Sequence, residues 1–531
     1  MLNRRQCLAY FPLGLAPGIL AGLGGCAGSP ARQTAAAAAP DAAPAVASAF
    51  SAMADELWLD RLSWGSTSSE LAELRRMGRA AWLQRQLSAS RPGGWADLPT
   101  EARAQIDAMS IGSTSMPELV RTLEAQRKSA EALQDDAQKQ AAQKAYQVEM
   151  NRLAREASSR MLLGALYAPA QLREQMGWFW FNHFNVYQHK HNLRAMLGDY
   201  NEQLRAHALG RFRELLQLTV FHPAMLRYLD NEQNGAGHIN ENYARELLEL
   251  HTLGVDGGYS QRDVQELARV LTGLGVRLND DTPRMRPALQ ALYVRRGLAE
   301  FNPQRHDFGD KTVLGLTIQG RGIAEIEQVL DHLARQPATA RFLSRKLAQY
   351  FVADDPPPPL VERMAASYLR SDGQIGVVLR TMIEAPEFDA SLGRKFKDPL
   401  HYVVSAVRMA YDGRVILNTG PMQNWLNRLG QTPFDHQTPD GYPLQASSWN
   451  SAGQMNTRFE LARAIGGGSA GLFRVEGKPV DKPAFPQLAT SLYYEGVAPH
   501  LSASSREALA QAASPQEWNS LLLSSPEFMM R

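Results

Sequence analysis

The chain has little cysteine, no net charge to speak of and no long apolar run, and each shortage removes a class of protein. Cys7 and Cys26 are its only cysteines, so it holds no disulfide framework and no thiolate metal cluster. Lys+Arg is 56 against 54 for Asp+Glu. Removal of Arg4 and Arg5 with an N-terminal segment would bring the two into balance. A neutral surface does not build the field that phosphate backbones require, which argues against a nucleic-acid partner. The apolar stretch Cys7–Leu23 is broken by Pro12 and Pro17 and is too short to cross a hydrocarbon core about 30 Å thick. There is no His-Glu-x-x-His helix, nucleophile elbow, phosphate-cradling glycine loop or dinucleotide fingerprint, so the commonest hydrolase, kinase and dehydrogenase designs are disfavoured.

The N-terminus is the most informative segment. Arg4 and Arg5 precede the apolar run, and Leu23-Gly24-Gly25-Cys26 closes it with small residues and a cysteine, the pattern of a bacterial lipoprotein cleavage site. This predicts a signal peptide over 1–25, with Cys26 lipidated and the protein held to a membrane surface without spanning it. Asn3-Arg4-Arg5-Gln6-Cys7-Leu8 half-matches a twin-arginine signal, so the twin-arginine and the general export routes both stay open. Ala27 and Gly28 carry no acidic retention signal, which points to the outer membrane, facing the periplasm. Residues 26–50 are Ala/Pro-rich with few large side chains and read as a tether unable to bury a core.

From 51 to 531 the pattern is that of one large folded region with 44% apolar residues over the chain. Thr67 and Glu70 have capping-box spacing and Gly78 is placed to stop the helix they open. Helical periodicity recurs at 170–186, 198–218, 223–229, 241–253, 261–273, 322–335, 338–351, 398–411 and beyond. Between 117 and 166, Leu119, Leu123, Ala130, Leu133, Ala137, Ala141, Ala145 and Val148 form one narrow stripe, which predicts a projecting helical arm. Strand signals are confined to Lys311–Ile318 and Tyr293–Arg295, which are expected to pair as a hairpin. The fold class is mostly α, a large multi-helix globular domain with a minor β-hairpin element. Pro356–Pro359 marks a stiff connector and a candidate seam.

Polar residues crowd between Asp230 and Gly254. Glu246 and Glu249 share a helix face with Asn242, and Arg245 stands one turn from Glu241 and Glu249. Two carboxylates at this spacing suit a general acid/base pair or a hard cation; an ion-paired helix surface is the plainer account. Asp230, Glu232, Asn234, Gly235, His238 and Glu241 fall at positions 1, 3, 5, 6, 9 and 12 of a calcium-loop register. Glu232 is long for its place, and a polar capping loop accounts for the same residues. His306-Asp307 with Asp310 and Lys311 is a second candidate, against a tight turn that would need the same types. His183 sits on the apolar face of an aromatic helix. The enzyme reading is a metal-assisted, hydrolase-like site. There Glu246, Glu249, His306 and Asp307 do the chemistry, and Asp230, Asn234, Glu241 and His183 help to hold a divalent cation. The competing reading is a non-catalytic, membrane-tethered scaffold.

Leu62-Ser63-Trp64-Gly65, Phe179-Trp180-Phe181-Asn182-His183-Phe184, His222-Pro223-Ala224-Met225 and Leu229-Asp230-Asn231 together resemble a bacterial exported family known as domain of unknown function 1800. So do Asn240-Glu241-Asn242-Tyr243-Ala244-Arg245-Glu246-Leu247, His306-Asp307 with Lys311, and Ser525-Pro526-Glu527-Phe528. The resemblance runs from about Leu57 to the C-terminus and implies a mainly helical exported protein. It also implies an exported sulfatase-like partner, and it transfers no catalytic residues. Leu274 departs from the family's usual Trp after Thr-Gly.

Overall fold

The computed structural model describes residues 55–88, 95–475 and 485–531; Cys26, the signal segment and the tether lie outside them. The segment at 171–183 (QLREQMGWFWFNH) is apolar on every face, and a helix of that kind belongs inside a protein. Helix Gln171–His183 is buried at every residue. Helices Arg79–Ser88, Asp136–Tyr167 and Leu197–Ala206 pack on it. Several of its polar groups are matched by specific partners. Gln171 donates to the carbonyls of Ala165 (3.1 Å) and Ala168 (2.8 Å) and accepts from the Trp64 amide at 3.0 Å. Arg205 Nε donates to both Glu174 oxygens, at 2.8 and 2.9 Å. Trp180 donates its indole N–H to Ala208 O at 2.8 Å. Buried polar groups so matched cost little.

Most sequence-predicted elements are present, and the exceptions have identifiable causes. Thr67 accepts from the Glu70 amide and Gly78, at φ 80°, ends that helix. The predicted arm is a hairpin of Met116–Ala132 and Asp136–Tyr167, turned where Asp135 caps the second helix. Only its outer part projects. From Met150 to Leu166 the second helix carries Leu153, Leu162 and Leu163 into the core, because that half of the sequence is Leu- and Met-rich rather than Ala/Gln-rich. The segment predicted as one helix over 198–218 is two, Leu197–Ala206 and Phe212–Phe221. At the break, Phe212 N donates to Gly373 O and Ile375 N to Gly210 O, both at 2.9 Å, so tertiary hydrogen bonds replace helical ones.

Five short strands form two small sheets, and the expected partnership between Tyr293–Arg295 and Lys311–Ile318 is not made. Strands β1 (Leu274–Val276), β2 (Val294–Arg296) and β3 (Ala299–Phe301) make one antiparallel sheet in the order β1-β3-β2. Strands β4 (Lys311–Val313) and β5 (Leu316–Ile318) pair only with each other. Leu314 (φ 48°) and Gly315 (φ 77°) form the tight turn between them, the primed geometry that matches strand twist. The proline run is no seam: Leu343 and Leu347 before it share one hydrophobic cluster with Leu360 and Met364 after it. Among the described residues no helix is long and apolar enough to cross a membrane.

Candidate functional site

The loop at 230–242 folds around its asparagines. Asn231 donates to the carbonyls of Leu271 (3.2 Å) and Leu274 (2.8 Å). Asn234 donates to Ala268 O at 2.8 Å and accepts from the Asn240 amide at 3.0 Å. Asn240 Oδ1 accepts from the Asn242 amide at 3.0 Å and so opens the next helix. Asp230, in the left-handed region at φ 58°, pairs with Lys190 at 2.8 Å. Glu241 pairs with Arg245 at 3.1 Å and accepts from Gln261 at 2.6 Å. His183 Nε2 lies 3.1 Å from His251 O. The four residues expected to share a cation, Asp230, Asn234, Glu241 and His183, are therefore spent on four separate sets of partners. Among the described residues no three His, Cys, Asp or Glu are grouped so as to hold a metal ion.

The following helix widens where it matters. Asn242–Glu246 is α-helical and Leu247–Thr252 is π-helical, with Leu253 N bonding to Leu248 O at 2.9 Å. Such a bulge offsets successive side chains and is common at functional sites. Glu246 and Glu249 stay half-buried on the outer side, where Tyr259 donates its hydroxyl to Glu249 at 3.3 Å. His251 turns fully inward, and neither of its ring nitrogens has a hydrogen-bond partner; nor does Nδ1 of His183. The two imidazoles lie 6.1 Å apart, centroid to centroid, and Phe342 stands 6.2 Å from His183. Lys346, one turn on from Phe342 in helix Pro337–Phe351, lies with its ammonium 5.5 Å from that ring's centroid.

A strap at 432–443 is tied to helix Gln171–His183 and the residues after it. Asn182 holds it by donating to Tyr442 O (2.9 Å) and accepting from the Tyr442 amide (2.7 Å). Asn185 donates to the carbonyls of His436 (2.9 Å) and Thr438 (2.8 Å), and Tyr228 donates its hydroxyl to Gln437 O at 2.7 Å. The strap carries Asp440, whose charge is felt by Glu246, Lys346 and Tyr228. Burial, then repulsion from Glu249 and Asp440, pushes Glu246 up to about 7, with Arg245 opposing. Burial pulls Lys346 down to about 8 against the attraction of Asp440. Both groups are thus shifted toward neutral pH, and Asp440 acts on each of them.

His306 and Asp307 belong to a different network. His306 is buried, its Nε2 2.8 Å from Glu325 and its Nδ1 2.8 Å from Thr272 O. Glu325 also accepts from the amides of Arg321 and Gly322, both at 2.7 Å, and from the Lys311 ammonium. Asp307 pairs with Arg269 at 2.7 Å and accepts from the Gly309 amide at 2.8 Å. These two share no partner with Glu246 or Glu249, so the structure does not assemble the four as one catalytic set. The reason is plain: the Glu325 oxygens are used to tie His306, Lys311 of β4 and the start of helix Ile323–Ala334 together, and those of Asp307 to tie its turn to Arg269 of helix Gln261–Val270.

Sequence reasoning missed His251, Lys346 and Asp440. His251 lies two residues past Glu249, and only the π-turn sends it inward. Lys346 had a local sign in its i−4 neighbour Phe342; Asp440 had none. The buried histidine has a measurable consequence. Burial lowers His251 from 6.5 to about 3, and the Lys346 charge adds to the effect. Its proton is then taken up only on unfolding, so the group costs stability as pH falls from 6.5 toward 3. His251→Leu is expected to raise stability relative to wild type by about 3 kcal/mol more at pH 4 than at pH 8. Urea midpoints at the two pH values check this; an equal difference at both would mean that the ring titrates normally.

The fold is that of a mainly helical protein in which half-buried carboxylates at Glu246 and Glu249 stand on the same helix as the buried His251. The chain belongs to the family described as "Protein of unknown function (DUF1800)", whose model matches residues 57–530. Neither a curated protein nor a solved structure matches it.

Proposed function

We propose that this protein is a lipid-anchored enzyme of the cell envelope, hydrolase-like, that works by general acid–base chemistry at the Glu246 site. Cys26 holds it at the outer membrane, facing the periplasm. Glu246 gives and takes the proton, Lys346 supplies positive charge or a second proton, and Asp440 sets the level of both. The observation that supports this reading is Asp440 acting on both Glu246 and Lys346, with Lys346 in turn acting on the buried His183 and His251, whose rings keep nitrogens without partners. The divalent-cation form of the idea has no ready donor set in the described residues, so proton transfer by side chains is the form adopted.

The test is Asp440→Asn, followed by titration of both groups. Removing that carboxylate is expected to lower Glu246, which it raises, and Lys346, which it also raises. Carboxyl-carbon NMR reads the first and pH-dependent acylation of Lys346 reads the second. In a screen of chromogenic esters and glycosides, Glu246→Gln should cost about 10²–10⁴-fold in kcat. Unmoved midpoints in Asp440→Asn would remove Glu246 and Lys346 as a coupled site. A stoichiometric metal in the purified protein, lost in Glu246→Gln, would restore the cation. A membrane-tethered scaffold for an exported sulfatase-like protein is the second reading, favoured by the exposed outer part of the 116–167 hairpin. Co-purification of such a partner, abolished by charge reversal on that hairpin, would establish it.

A further inference from the structure

A groove sharing no residue with the Glu246 site opens where helices Leu197–Ala206 and Phe212–Phe221 part. It encloses about 550 Å³ between these helices, the segment at 116–117 and the turn after β2. Asp199 lines it and also an adjoining cavity of about 240 Å³. A volume of this order holds one or two sugar-sized rings.

The polar groups facing it are held in one sense. Asp199 Oδ2 accepts twice, from His222 Nε2 at 3.0 Å and from Gln203 Nε2 at 2.8 Å. The buried His222 accepts the Ala224 amide on Nδ1 at 3.1 Å, so its ring donates from Nε2 and is wholly used in fixing the carboxylate. Attraction to His222 and these hydrogen bonds outweigh burial and hold Asp199 below the ordinary carboxylate range. Among the described residues no group donates to its Oδ1. His207 donates from Nδ1 to Gln203 O at 2.9 Å, which leaves Nε2 a bare acceptor on the same wall. Glu214 adds an exposed carboxylate. At the rim Arg296 lies 5.2 Å from the centroid of the Phe221 ring and has no ion-pair partner among the described residues. Leu218, Pro223 and Leu298 make the rest of the wall apolar.

This combination selects by exclusion. An anionic ligand meets Asp199 and Glu214. A cationic one meets the unpaired Arg296, which an ammonium cannot satisfy. A neutral ligand rich in hydroxyls answers all of them: its O–H groups donate to Asp199 and His207, its oxygens accept from Arg296, and its C–H face lies on Leu218 and Pro223. We propose that this groove is a binding subsite for a neutral saccharide, with Asp199 Oδ1 and His207 Nε2 reading neighbouring hydroxyls. The inference stands on this groove alone and does not depend on the chemistry assigned to Glu246.

The experiment is saturation-transfer NMR and calorimetry on the full folded region with neutral hexasaccharides of glucose, mannose, galactose and N-acetylglucosamine. Spermidine and an oligogalacturonate serve as charged probes. At least one neutral hexasaccharide is expected to bind saturably. Asp199→Asn keeps an acceptor for His222 but presents a donor to the groove, and should weaken binding at least tenfold with little change in melting temperature. His207→Ala and the surface change Arg296→Ala should each weaken it as well, which keeps the test valid if Asp199→Asn folds poorly. Binding of none of the neutral sugars overturns the proposal. So does binding that ignores all three substitutions, or tighter binding of spermidine or the uronate.

Discussion

Arg61→Met is expected to destabilise the protein by about 3–5 kcal/mol, more than any other single change considered. The side chain is fully buried and forms no ion pair with an Asp or Glu among the described residues. It donates to Ser391 Oγ at 2.8 Å, to Ser391 O at 2.7 Å and to the carbonyls of Phe351 and Arg531. Burial, with repulsion from Arg531, pulls its pKa down to about 9 against the attraction of Asp60. One guanidinium thus joins the first described helix, the end of helix Pro337–Phe351, the turn at Ser391 and the C-terminal residue. Methionine fills the space but leaves several buried acceptors with no donor, and that desolvation is the larger part of the loss. Arg61→Lys should rescue little, because a compact ammonium cannot reach acceptors spread around a planar fork. Urea unfolding should show a lower midpoint at unchanged slope. A loss below about 1 kcal/mol would mean that water takes the place of the guanidinium.

The second large effect is expected at Gly441, and it links stability to the candidate site. Gly441 has φ 76°, and a Cβ there would stand 2.1 Å from Asn182 O. Alanine pays about 1–2 kcal/mol for the left-handed backbone and must also push the strap away from helix Gln171–His183. A total near 3 kcal/mol is expected, with the Asn182–Tyr442 pair of hydrogen bonds broken. Because the strap carries Asp440, the same change should lower the titration midpoints of Glu246 and Lys346 as Asp440→Asn does. Asn182→Ala should reproduce the shift in those midpoints without the backbone strain. If Gly441→Ala lowers the melting temperature but leaves both midpoints in place, Asp440 does not depend on the strap for its position.

The contrast between Glu246 and His306 shows where sequence reasoning held and where it did not. Helical spacing alone put Glu246 and Glu249 on one face, and they do face each other closely enough to raise the Glu246 pKa. Adjacent polar residues at His306-Asp307 looked equally chemical, yet their partners Thr272, Arg269 and Glu325 come from 19 to 38 positions away and use every hydrogen-bonding atom. The asparagines of the 230–242 loop carried the same ambiguity. Alternating oxygens fit a calcium loop, but the amide groups of Asn231 and Asn234 donate to the carbonyls of Leu271, Leu274 and Ala268 and pin the loop to the fold. Side-chain type and spacing say which atoms are available. They do not say which are already occupied.

From the chain alone came the mostly helical class, the family, the stop at Gly78, the cap at Thr67 and the shared face of Glu246 and Glu249. These rest on interactions within a few residues, where periodicity and capping chemistry act directly. Tertiary structure alone decided the split of 198–218, the approach of Lys346 and the arrival of Asp440 on its strap. It also decided that Asp199, held by His222 from 23 positions away, would face a groove. In each case the deciding contact joins segments distant in sequence, and its energy is absent until the core at Gln171–His183 has brought them together.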